Sequence, residues 1–142
     1  MEKKTIHIMD RFAKDLRTRL LLFVDKAPAL LPLKRRLRRR NLIILECPEA
    51  EKALSAVPRF EFDLILIDLL LPGDFSGYDL CRRLKENDLT RAVPIFLFCD
   101  HPLPFEVTRS YTFELKAQRL IIPPFDPETI DRQICRLLWP KR

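Results

Sequence analysis

From residue 20 onward, apolar runs of strand length alternate with helix-length segments, and no internal repeat or low-complexity stretch interrupts them. Residues 20–24, Leu20-Leu21-Leu22-Phe23-Val24, form a continuous apolar run that stops at Asp25, the pattern of a strand covered on both faces. Residues 28–40 place Leu30, Leu33 and Leu37 on one helical face, with Pro28 suited to a first turn and Pro32 to a delayed start or a kink. A second strand is expected over 41–46 and a second helix over 48–57. The strongest buried-strand signal is Phe62-Asp63-Leu64-Ile65-Leu66-Ile67-Asp68, which is expected to be the central strand. A loop containing Pro72, Gly73, Ser76 and Gly77 follows, then a helix over 78–87 with Leu80, Cys81 and Leu84 inward. The remaining elements are a strand over 93–99, a helix over 105–116, a short strand over 120–122 and a helix over 126–139. In the last helix Asp126 is the N-cap, Pro127 the first position, and Ile130, Ile134, Leu137 and Leu138 the inward face. Five β/α units of this rhythm predict an α/β domain with a parallel sheet and crossover helices.

The 142 residues suit one domain, with residues 1–19 as an N-terminal extension and 20–142 as the domain proper. In the extension Ile8, Phe12 and Leu16 are spaced as one apolar stripe, so it is expected to add a helix, packed on its own domain or used for a dimer or partner contact. Four cysteines without CxxC spacing and two separated histidines, His7 and His101, argue against a zinc site and for a reduced, cytoplasmic protein. No apolar run approaches the roughly 20 residues of a membrane helix, and no secretory pattern opens the chain.

At these positions the order of residues resembles the receiver domain of two-component response regulators over about 20–139. The resemblance rests on Asp68 at the end of the third strand, Pro72 four residues on, Gly77 shortly after, and Tyr78-Asp79-Leu80-Cys81-Arg82-Arg83-Leu84-Lys85. Pro94-Ile95-Phe96-Leu97-Phe98 is similar to the family's fourth strand, and residues 116–125, ending Pro123-Pro124-Phe125, to its fifth strand and Lys-Pro-Phe turn. It implies a flavodoxin-like, doubly wound five-stranded sheet of order 2-1-3-4-5, with the site at the carboxyl ends of the strands. It also implies a cis peptide before Pro124 and makes Asp68 the equivalent of the phosphoacceptor.

Several parts of the family's chemistry are replaced. The paired acids that help hold Mg²⁺ correspond to Asp25 and Lys26, the hydroxyl residue closing the fourth strand to Cys99, and the small residue after it to Asp100. The lysine of the fifth strand corresponds to Pro123 and the aromatic switch residue to Leu120. An ammonium in close contact with the metal would oppose its binding by about 4 kcal/mol at an effective dielectric of 20. The expectation is that Lys26 points at Asp68, and at Asp25 as well, as a fixed cation in place of Mg²⁺. No cofactor is then required, Mg²⁺ entering only if the site still works, through Asp25 and Asp68. The implied function is a signalling module that binds another signalling protein, with Asp68 phosphorylation impaired or absent and a homodimer as one form of contact. A stand-alone regulator still phosphorylated at Asp68 is the alternative.

Charge adds a reading of a different class. The net charge is +6, but residues 1–40 hold 13 Lys/Arg against 4 Asp/Glu, +9, and the rest is −3. The run Lys34, Arg35, Arg36, Leu37, Arg38, Arg39, Arg40 packs six cations into seven residues, the solvated face of a helix or a patch for nucleic acid or another polyanion. With no interleaved aromatics and no DNA-reading motif, affinity from this patch is expected to be weak and salt-sensitive. No phosphate-binding Gly-rich loop, nucleophile elbow or catalytic carboxylate pair occurs, so the chain is not expected to be an enzyme, and no membrane contact is expected.

Overall fold

The computed structural model describes residues 17–140. Five strands, β1 (Arg19–Val24), β2 (Leu42–Glu46), β3 (Leu64–Asp68), β4 (Ile95–Phe98) and β5 (Arg119–Ile121), form one sheet in the order β2-β1-β3-β4-β5. All four pairings are parallel. The helices are α1 (Leu31–Leu37), α2 (Ala50–Ala56), α3 (Gly77–Glu86), α4 (Phe105–Leu115) and α5 (Pro127–Leu138). The expected order and every β/α unit are present, and the stripe Ile8, Phe12, Leu16 lies outside the described residues.

The continuous apolar strands are explained by two cores. Leu21 and Phe23 of β1, Leu64 and Leu66 of β3, and Phe96 and Phe98 of β4 meet α1 and α5. The alternate residues Leu22, Val24, Ile65, Ile67, Ile95 and Leu97 meet α2 and α3 on the other face. Because side chains alternate across a strand, burial on both faces requires apolar residues at every position.

The segment expected as one helix over 28–40 is divided. A 3-10 turn at Pro28–Leu30 precedes α1, whose first turn contains Pro32, where a missing N–H costs nothing. Beyond Leu37 the chain tightens, with the Arg39 and Arg40 N–H groups bonding to Arg36 and Leu37 oxygens. Leu30, Leu33 and Leu37 are all buried, as their spacing requires.

Two features position the loop between β3 and α3. Ser76 and Asp79 form a reciprocal capping box: the Ser76 N–H donates to the Asp79 carboxylate (3.0 Å) and the Asp79 N–H to the Ser76 hydroxyl (3.3 Å). Gly77 lies against β3 so closely that a Cβ there would meet the Asp68 main-chain oxygen at 1.8 Å. The peptide between Pro123 and Pro124 is cis, as expected.

Candidate functional site

The carboxyl ends of the three central strands converge. Val24 is in register with Ile67 and Asp68 with Phe98, so Asp25, just past β1, stands beside Asp68, and Cys99, just past β4, follows on the other side. Cys99 is fully buried and its N–H bonds the Ile121 oxygen, while Asp100 is exposed beside His101 (3.6 Å). Pro123 is half-buried in the turn after β5.

Asp68 is half-buried, and its Oδ1 accepts the Leu70 N–H at 3.0 Å. Burial pushes its carboxyl above the ordinary value, and the neighbouring charges of Asp100 and Asp25 push the same way. The Leu70 N–H and His101 pull in the opposite direction without reversing the shift. No lysine or arginine of the described residues lies within 4 Å of the Asp68 carboxylate.

The expected pairing of Lys26 with Asp68 or Asp25 is not what the structure contains. Asp25 Oδ2 accepts the Ala27 N–H at 3.1 Å, a local turn that leaves residue 26 exposed. No described carboxylate lies within 4 Å of the Lys26 ammonium. Lys34 takes the position instead. Reaching down from α1, its Nζ donates to Asp25 Oδ1 (3.0 Å) and Oδ2 (3.1 Å) and to Glu46 Oε1 at the end of β2 (2.8 Å). The Asp25 and Lys34 side chains are only 2% and 9% exposed, so this is a desolvated pair. The ammonium also lies 5.0 Å from the centre of the Phe23 ring. The hydrogen bond from Lys34 is the main reason that the Glu46 carboxyl is held below its usual value.

The basic run is therefore not the one-signed patch expected. Lys34 is consumed by Asp25 and Glu46, Arg38 lies 3.6 Å from Glu46, and Arg36 and Arg40 both grip Asp131 of α5, at 2.8 and 2.7 Å. Of the six cations, Arg35 and Arg39 alone lack an acid within 4 Å among the described residues. The other four share three acids, Asp25, Glu46 and Asp131. Part of the signal lay in the helix stripes: Lys34 shares the stripe of Leu30, Leu33 and Leu37, and Asp131 that of Ile134 and Leu138, which places both on inward faces.

A model of the response regulator receiver domain matches residues 21–134. The chain belongs to the response regulator receiver family. The transcriptional regulatory protein ResD of Bacillus subtilis is 30% identical over 121 residues, 85% of this chain and 48% of that protein. The phosphate regulon transcriptional regulatory protein PhoB of Pseudomonas aeruginosa is 31% identical over 111 residues, 78% of this chain and 47% of that protein. The receiver chain thus spans about half the length of these curated relatives. In fold it is similar to the chemotaxis protein CheY4 of Vibrio cholerae, with a TM-score of 0.71 at 18% identity, covering 84% of this chain and 98% of that one. The receiver domain of the sensor histidine kinase PA1611 from Pseudomonas aeruginosa gives 0.70 at 21% identity over 85% and 98%, and that structure has a magnesium ion coordinated in its active-site cleft.

The donor set of this receiver does not fit such an ion. Both Asp25 oxygens are engaged by Lys34, residue 26 is a lysine, and no group of three or more His, Cys, Asp or Glu side chains among the described residues is gathered to hold a metal. Among the described residues no helix is long and apolar enough to cross a membrane.

Proposed function

We propose that this receiver is a signalling module that acts by binding another signalling protein, with phosphorylation of Asp68 impaired or absent, and that it is not an enzyme. The observation that carries the reading is the Lys34 ammonium held by Asp25 and Glu46 where the family's metal chemistry would begin. Phosphoryl transfer to a carboxylate needs a cation and fixed donors around the transferred group. Around Asp68 there are two further carboxylates, Asp25 and Asp100, a buried thiol at Cys99 in place of a hydroxyl, and a proline at position 123 in place of an ammonium. Asp25 is kept from the family's acid pair, while the changes at positions 99, 100 and 123 each lower the capacity to receive a phosphoryl group. Contact with a protein partner is supported by Phe105 and Phe113 on α4, which are 77% and 86% exposed, aromatic area of the type enriched in protein interfaces.

A receiver still phosphorylated at Asp68 is the second reading, favoured by the retained strand-end placement of Asp68 and Asp25 and by the Gly77 contact. Polyanion binding is disfavoured, since four of the six cations of the basic run are committed to acids. Adding beryllofluoride and Mg²⁺ to the labelled protein and following backbone amide resonances separates the first two. Unchanged spectra are expected. Saturable shifts centred on Asp68, Cys99 and residues 69–77 would favour the second reading.

A further inference from the structure

We infer that Lys34 decides cation binding at this edge of the sheet: its ammonium is the resident counter-ion of a cradle formed by Asp25 and Glu46, and it excludes a divalent cation from Asp25. The inference deepens the receiver reading by naming the residue that shuts the site's cation chemistry. Its test reads metal binding and not phosphorylation, so either can fail alone.

Three carboxylate oxygens, two from Asp25 and one from Glu46, lie within 3.1 Å of Nζ, matching the three donors of an ammonium. Asp25 accepts the Ala27 N–H, and Lys34 lies on the buried stripe of α1 beside Phe23, while Glu46 reaches the ammonium from the exposed end of β2. A dication coordinated about 2 Å from an Asp25 oxygen would stand at most about 5 Å from the Lys34 ammonium, with like charges opposed at low solvent exposure. Lys26, although next in sequence to Asp25, is exposed and lies outside this arrangement. Removing the Lys34 charge leaves two carboxylates facing each other across the vacated position, one of them buried, which is the donor chemistry that attracts a hard divalent cation.

Mn²⁺ serves as the probe on the full chain, with affinity from the electron paramagnetic resonance signal of the free ion and location from broadening of amide resonances. Lys34→Met removes the charge while keeping an apolar stem against Phe23, and Lys34→Gln is a second variant of the same kind. The expected result is at least about tenfold tighter Mn²⁺ binding in either variant than in the parent. Asp25→Asn added to Lys34→Met should return affinity to the parent level. Equal affinity in parent and variants, or no effect of Asp25→Asn, would overturn the inference. Should circular dichroism show both variants unfolded, the parent alone decides: no selective broadening at Asp25, Ala27 and Glu46 supports the inference, and selective broadening there refutes it.

Discussion

Gly77 and Asp68 touch through their backbones: the first residue of α3 lies so near the last residue of β3 that a side chain at position 77 would collide with the Asp68 main-chain oxygen, 1.8 Å from the Cβ position. Neither partner can yield cheaply, since one is backbone in a central strand and the other the start of a helix fixed by the Ser76–Asp79 capping box. Gly77→Ala should therefore destabilise the fold by about 2–3 kcal/mol, read from urea denaturation. A loss below about 0.5 kcal/mol would show that the loop adjusts freely.

Asp131 joins α5 to Arg36 of α1 and to Arg40 of the turn after it, and its side chain is fully buried. Burial alone would raise its carboxyl, but the hydrogen bonds from Arg40 and Arg36 outweigh that effect and the carboxyl is lowered. A lowered acid contributes stability above its unfolded value, near about pH 4, and loses it as pH falls through the folded value. Asp131→Asn should cost about 2 kcal/mol at pH 7 and show a flatter decline in stability below about pH 4. Equal stability of parent and variant at pH 7 would show that the two arginines do not hold α5 through Asp131.

Asp68 behaves in the opposite sense. Its carboxyl is raised, first by burial and then by Asp100 and Asp25, so the contribution is fully present below the unfolded value and is lost as pH rises through the folded one. Asp68→Asn should accordingly raise the thermal midpoint at pH 7, and the gain should vanish below about pH 4. A lower midpoint at pH 7 would mean that a cation already compensates Asp68.

The basic run predicts little affinity for polyanions, because four of its six cations are paired with Asp25, Glu46 or Asp131. Elution from heparin at low salt is expected, and tight retention at high salt would contradict it.

Much of this was legible in the sequence. Unbroken apolar runs at 20–24 and 64–67 reported strands buried on both faces, and strand order followed from five β/α units together with the receiver resemblance. Asp68, Asp25 and Cys99 were legible as a strand-end group. The partner of Asp25 was misassigned because adjacency in sequence favoured Lys26, whereas the Asp25–Ala27 turn sends that residue outward and the helix stripe sends Lys34 inward. The basic run was misjudged for a related reason: pairing with Asp131 spans more than ninety residues and depends on how α1 meets α5, which local charge patterning does not encode.

On the proposed reading, a fixed ammonium on Asp25 and Glu46, with Asp25 and Asp100 near Asp68, keeps this receiver from accepting phosphate efficiently. Intact mass measured under acidic conditions, after incubation with acetyl phosphate and Mg²⁺, tests it most directly, with Asp68→Asn as the control. An unchanged mass is expected, or slow and partial modification that Mg²⁺ does not accelerate. Rapid, Mg²⁺-dependent addition of one phosphate that is lost in Asp68→Asn would contradict it.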